Sequence, residues 1–365
     1  MNQMKGTVMN KMNHRAFLVL SITGLLFMSG IVFGDDSEGG NSSENDFVYV
    51  CTDGGNGGYE AFPDVCRLVD GRLMVVFYDG WTHVSLPEDK PGHQNGARIS
   101  CCLSSDEGKT WSEPRVIIDT PYDDRDPSIL ALADGRLYCN WFTYRKLDND
   151  RVQCDLMLSE SINGGQSWFP PKVIFENVPC STPIRPLSNG RLILPTYVEN
   201  NSEHCGSAAY SDDNGRTWSA NIIIPNGGMR LDAETDVIEL KDGTLYAIQR
   251  EEMAYSLSHD RGETWSESQP VGFAGHCPYL LRLRDDTIVM AFRLPNTSLR
   301  FSRDECKTWS DNVVVDDVIG AYPSMVELKD GSVLIVYYEE GGGSNIRAKR
   351  FRIKDDDTVE WLSLR

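Results

Sequence analysis

Six short stretches of the chain hold the side chains that could do chemistry. They are 59–62 (YEAF) before Pro63, 123–126 (DDRD) before Pro127, 180–182 (CST) before Pro183, 230–235 (RLDAET) before Asp236, 275–277 (GHC) before Pro278 and 320–322 (GAY) before Pro323. Arg185 follows the third, and Arg250, Arg293 and Glu339 end apolar runs further on. Arginines hold anions by paired, charge-assisted hydrogen bonds. Carboxylates, a His and a Tyr can move protons or attack a substrate. Brought to one axis, such a set makes a binding or catalytic funnel. Each residue also has a plainer use. Arg125 between Asp124 and Asp126 reads equally as a surface ion pair, and Glu234 as a partner of Arg230 or Arg250. Tyr322 reads as a core aromatic with a satisfied hydroxyl, and Arg185 as a stem laid along a strand. His276 reads as structural.

The elements that must position these stretches are written as a repeat. After each stretch comes a phrase close to Pro-x-x-x-x-Leu-x-Asp-Gly-x-Leu, then four or five apolar residues; its six copies begin at Pro63, Pro127, Pro183, Asp236, Pro278 and Pro323. The DG or NG pair between two apolar runs predicts a β-hairpin. A second phrase, S-x-D-x-G-x-T-W, follows the first five hairpins at 104–111, 161–168, 211–218, 258–265 and 302–309. The steps between its tryptophans, Trp111, Trp168, Trp218, Trp265 and Trp309, are 57, 50, 47 and 44 residues, a period of stacked or radial arrays. Its Asp can accept backbone hydrogen bonds and close a tight turn, its Gly sits where φ is expected to be positive, and its Trp is expected to re-enter the sheet. Asn163 replaces the Asp once and Cys306 the Gly once.

Six four-stranded units predict an all-β fold, a six-bladed β-propeller, which protects strand edges by radial repetition; a solenoid is the second choice. The last unit lacks the Trp-ended turn. Either the strand at 47–51 or the C-terminal WLSL could complete it. In a propeller the innermost strands start at one face of the central channel, so the six stretches converge there. The longest connection, 79–98, lies beside that funnel, where function concentrates.

Residues 1–34 read as an export signal: Lys5, Lys11 and Arg15 precede an uncharged apolar run at 16–33, with Val32 and Gly34 suited to a cleavage site. An uncleaved anchor is the alternative. A secreted or periplasmic location follows. Residues 35–46 form a polar spacer, and 47–365 one domain. The net charge of −19 argues against nucleic acid and against an anionic membrane surface as partners, so an anionic ligand would need its positive charge concentrated in one pocket. The ten cysteines show no C-x-x-C pair and no zinc spacing; buried apolar thiols and disulfides stay equally open.

The Trp-ended turns on a six-bladed frame resemble the Asp boxes of the sialidase (neuraminidase) superfamily, over about residues 47–352. Members carry a Glu shortly before a V-x-E-L-x-D-G strand and an Arg at the end of that hairpin, which matches Glu234 before VIELKDGT, and Arg250. They open the last blade with a Tyr in Y-x-S-x-x-x-L, matched by Tyr322 in AYPSMVEL, and carry a further Arg matched by Arg293. The resemblance implies a retaining exo-glycosidase acting on a glycan as its partner, with sialic acid the leading sugar and no metal or organic cofactor, the enzyme acting as a monomer. Tyr322 would be the nucleophile and Glu234 its base, because the substrate's own carboxylate repels a carboxylate nucleophile. Arg250 and Arg293 would clamp that carboxylate. The acid/base would be an Asp on the first-blade loop, Asp89 by place, with Asp79, His83 and His93 as alternatives. In one position the chain departs from the pattern. Members place an Arg two residues before the first-blade Pro, and here that residue is Ala61; Arg125 or Arg185 would substitute. The departure keeps two other expectations open: an exo-glycosidase for a uronic or neutral sugar, and a non-catalytic glycan-binding propeller.

Overall fold

All six Leu-x-Asp-Gly-type phrases close in the same way. The first Leu donates its N–H to the carbonyl four residues on, as in Leu68 to Arg72, Leu240 to Thr244 and Leu328 to Ser332, at 2.7–2.8 Å. Each turn joins the innermost strand of a blade to the second. The computed structural model describes residues 46–147, 151–199, 204–229, 231, 234–250, 252–294, 296–318, 320–340 and 343–365. Residues 1–34, read as an export signal, and Arg230 lie outside them. The described residues form six antiparallel sheets, five of four strands and one of five. The innermost strands are Tyr59–Arg67, Asp123–Ala131, Arg185–Pro186, Thr235–Glu239, His276–Arg282 and Gly320–Glu327, which open blades 1 to 6.

Buried carboxylates stitch neighbouring blades into a ring. Asp64 in blade 1 accepts the N–H of Ile129 in blade 2 at 2.7 Å and the hydroxyl of Ser324 in blade 6. Asp236 in blade 4 accepts the N–H of Leu280 in blade 5 at 2.6 Å and two donors from Arg185 in blade 3. Blade 1 therefore sits between blades 2 and 6, which fixes a closed propeller. Both candidate closing segments are used. Val48–Cys51 and Val359–Leu362 pair with the same strand, Ile346–Ile353: the first along 346–348, the second along 350–353.

The Trp-ended turns hold the outer rim. The Asp106 carboxylate accepts the N–H of Thr110 at 2.9 Å, and the Ser104 hydroxyl accepts the N–H of Gly108 at 2.9 Å. The pattern recurs at Asp213, Asp260 and Asp304, and Asn163 reproduces it with its amide oxygen. Gly108 has φ of 86°, and a Cβ there would fall 2.9 Å from the Leu334 side chain. Cys306 adopts the same left-handed backbone at 63°, although an L side chain is strained there. The tryptophans differ from the expectation. They precede the last strand of the blade instead of entering it, and of the five only Trp265 is buried; each packs in a cluster shared with the preceding blade, as Trp265 does with the cluster of Leu187 and Ile193.

Candidate active site

Every blade sends side chains to the central axis, among them Phe62, Asp126, Ser181, Glu234, Cys277 and Tyr322. All six line one small axial cavity. Four of them precede a Pro and share an unusual backbone, with φ of 52° at Phe62, 49° at Asp126, 46° at Cys277 and 43° at Tyr322. At each of these four the ladder to the second strand shifts register, as between Ala61 and Asp64 or Ala321 and Ser324. The bulge turns the side chain out of the strand's normal alternation and into the channel. A left-handed residue that is not Gly costs on the order of 1–3 kcal/mol and marks functional positions. Glu234 and Ser181 reach the same ring from blades where Thr takes the place of that Pro.

Across the ring, the Tyr322 hydroxyl donates to Glu234 Oε1 in a short hydrogen bond. The Arg250 guanidinium bonds to the same oxygen, while Glu234 Oε2 accepts the N–H of Cys277 at 2.9 Å. Glu234 is buried and so held in one orientation by three donors from blades 4, 5 and 6. Burial first, and then the Glu234 charge, push the Tyr322 hydroxyl well above the usual phenol range. Burial alone would lower the Arg250 pKa, but the charges of Glu234 and Tyr322 outweigh it and raise it. Arg293 approaches from blade 5 with Nη2 3.5 Å from His276 Nδ1.

Arg125 is buried, not a surface residue. It stands two residues before Pro127, the spacing of Ala61 to Pro63, and both residues form the last pair before the bulge, Ala61 with Tyr78 and Arg125 with Phe142. Blade 2 thus carries an Arg at the register position that holds Ala in blade 1. Its guanidinium lies 5.3–5.9 Å from the rings of Phe62, Tyr78, Phe142 and Tyr144, donates to the His83 carbonyl at 2.5 Å and stands 3.7 Å from Asp123. Asp126 beside it accepts the Ser181 hydroxyl at 2.9 Å through Oδ2, while buried Oδ1 has no partner among the described residues. Burial raises its pKa to about 7, against the opposing pull of Arg125.

Four of the expected residues stand apart from this ring. Arg185 points sideways: its Nε donates to Asp236 at 2.9 Å and its guanidinium lies 4.6 Å from the Tyr279 ring. Asp89 ends an exposed single 3₁₀ turn, Pro87–Asp89, with its N–H on the Leu86 carbonyl. Asp79 is buried beneath the loop and binds Arg98 and Ser100, each at 2.8 Å. His93 packs on Trp81. From the same loop, His83 does reach the ring. It lies edge-on to Phe62 at 5.5 Å, and Phe62 in turn lies edge-on to Tyr322 at 4.7 Å. Phe62 and Asp126 carried a readable signal, the residue before a repeat Pro. Of the two residues that flank His83, Tyr59 opens the first of the six stretches, while Glu340 carried no signal.

The profile of the BNR repeat-like domain family matches residues 151–335, half of the chain. The chain belongs to that family and is a propeller of the sialidase superfamily. It is 30% identical over 253 residues to a sialidase of Clostridium perfringens, covering 59% of this chain and 63% of that protein, and 26% identical over 253 residues to a sialidase of Paraclostridium sordellii, covering 59% of each. With a third sialidase, of Bacteroides fragilis, included, it spans 54–63% of the length of these three relatives. Among solved structures, a Dyadobacter fermentans protein of unknown function superposes with a TM-score of 0.69 at 21% identity, over 85% of this chain and 98% of that one. The intramolecular trans-sialidase of Ruminococcus gnavus superposes with a TM-score of 0.66 at 14% identity, over 88% of this chain and all of its partner.

Proposed function

We propose that the protein is a retaining exo-glycosidase that removes terminal sialic acid from glycans. The observation that carries this reading is the Tyr322–Glu234 hydrogen bond, with Arg250 on the same carboxylate. Glu234 takes the phenolic proton as the Tyr322 oxygen attacks the anomeric carbon. A free phenol this buried ionises poorly, so the base must act in concert with attack. Arg250 and Arg293 bind the substrate carboxylate, and Arg125 adds positive charge from blade 2 in place of the Arg that Ala61 lacks. The named sialidase relatives support a glycan as substrate. Residues 1–34 direct export, and the propeller acts outside the cytoplasm as a monomer without a metal or organic cofactor.

The test is release of the fluorophore from a fluorogenic sialoside by purified protein, with Tyr322→Phe as the control. Wild-type activity that vanishes in the variant supports the reading; an inactive wild type ends it. Ala61 favours a second reading, an exo-glycosidase for a uronic or neutral sugar, since one carboxylate anchor is absent from blade 1. Product analysis on a mixed glycan pool separates the two.

A further inference from the structure

Neither carboxylate expected from the first-blade loop reaches the axis, since Asp89 lies on an exposed turn and Asp79 is sealed beneath the loop; Asp126, the blade-2 carboxyl that does line the axis, is buried and held by the Ser181 hydroxyl beside Arg125. The first-blade loop brings a different group there. Its start is pinned at several points: the Ser85 hydroxyl accepts the N–H groups of Trp81 and Thr82, and the Tyr78 hydroxyl donates to the Thr82 carbonyl at 3.0 Å. The Arg125 guanidinium holds the His83 carbonyl. The His83 ring is then fixed from both sides. Nδ1 is 3.0 Å from the Tyr59 hydroxyl, which donates to Glu340 Oε1 at 2.8 Å. Glu340 also accepts the Tyr338 hydroxyl at 2.7 Å. Since Tyr59 gives its proton to Glu340, its oxygen accepts from Nδ1–H, and Nε2 accepts from Arg125 Nη2 at 3.3 Å, a bond that the ring gives up when Nε2 is protonated. A carboxylate thus orients and supports an imidazole through a phenol, the logic by which a partner fixes a histidine's tautomer.

We propose that His83 is the general acid and base of this site, held in place by Tyr59 and Glu340. The proposal rests on the glycosidase reading. In the first half-reaction the Nε2 proton passes to the glycosidic oxygen as its bond to the anomeric carbon breaks. The bonding pair leaves on that oxygen, the Tyr322 oxygen bonds the carbon, and Glu234 keeps the phenolic proton. In the second half, Nε2 takes a proton from water as the water oxygen displaces Tyr322, and Glu234 returns its proton.

The charges facing the ring make this protonation depend on substrate. His83 keeps an exposed edge, but the desolvation of its packed side and the positive charges of Arg125 and Arg293 move its pKa down to about 4, with Glu340 opposing them. An anionic sugar bound among Arg125, Arg250 and Arg293 offsets that positive field, so the imidazole gains its proton on binding. Activity therefore falls as pH rises. The falling limb of kcat/KM, which reports the free enzyme, lies at lower pH than that of kcat.

The experiment compares wild type, His83→Ala and His83→Gln on two substrates across pH: a sialoside linked to a sugar, and an aryl sialoside whose phenol leaves without protonation. Both variants should lose about 10²–10⁴-fold on the sugar-linked substrate, far less on the aryl one, and lose the falling limb. Tyr59→Phe, a change to a positioning residue, should keep the limb but move it to lower pH. Equal losses on both substrates, or a limb retained in the His83 variants, overturn the proposal. So does a leaving-group-dependent loss in Asp89→Ala. If wild type is inactive on both substrates, the proposal falls together with the glycosidase reading, an outcome distinct from the others.

Discussion

Replacing Glu60 by Gln should stabilise the protein, and only above acid pH. Glu60 lies in the innermost strand of blade 1 with no exposed surface. Its Oε1 accepts the N–H of Gly54 at 2.9 Å, but Oε2 has no partner among the described residues. Burial, with Asp79 and Asp53 adding to it and the Gly54 N–H opposing, raises its pKa to about 7. The unfolded chain releases this proton near pH ~4.3. Below that pH both states hold the proton and the native state bears no cost. As pH climbs toward 7 the unfolded chain ionises first, and stability is lost until the native group also ionises. At about 1.4 kcal/mol for each pH unit between the two values, this removes on the order of 3–4 kcal/mol above neutrality. Gln keeps the acceptor for Gly54 and has no charge to desolvate. Urea unfolding at pH 4, 6 and 8 should therefore show near-equal stability at pH 4 and an advantage of about 3–4 kcal/mol for the variant at pH 8, with unchanged m-values. A difference that does not vary with pH, or a variant less stable at pH 8, would refute the assignment of a buried, poorly solvated carboxyl.

Arg185→Met should leave Asp236 buried without its counter-ion and cost about 3–5 kcal/mol by urea unfolding; if KM rose with stability intact, Arg185 would be a substrate clamp after all. Arg250→Lys and Arg293→Lys should each weaken sialic acid binding by about 1.5–3 kcal/mol, read by calorimetry as a higher Kd. Glu234→Gln should cut kcat on a fluorogenic sialoside about 10²–10⁴-fold while the melting temperature stays high. Asp106→Ala removes acceptors of the first Trp-ended turn and should lower stability by about 1–2 kcal/mol without changing KM.

The frame was legible because it is written in repeats. Turn residues at fixed spacing announce a hairpin, and six of them announce a ring. The pairing of Tyr322 with Glu234 was reachable for the same reason, since both occupy equivalent places beside the repeat. What escaped was contact between residues with no periodic relation. Arg185 looked free because its partner Asp236 lies 51 residues away in the next blade. Asp89 had the expected chemistry and position in sequence, but a loop's path depends on what pins it, here Ser85, Tyr78 and Arg125. The competing closures at 47–51 and WLSL read as alternatives because sequence does not reveal that one strand is long enough to pair with both.

The left-handed bulge at the axis separates where a side chain goes from what it is. Phe, Asp, Cys and Tyr all occupy that same backbone, so the conformational cost belongs to the frame and is already met before the residue is chosen. A change of identity there brings no new backbone strain, and its neighbours on the ring come from other blades. The four places built on this bulge can therefore be rewritten one at a time while the ring of blades stays as it is. Such a scaffold can drift from one sugar chemistry to another, or lose its chemistry and keep its shape, by single substitutions. That makes Phe62, Asp126, Cys277 and Tyr322 a natural set of positions to randomise when seeking new specificities from this fold.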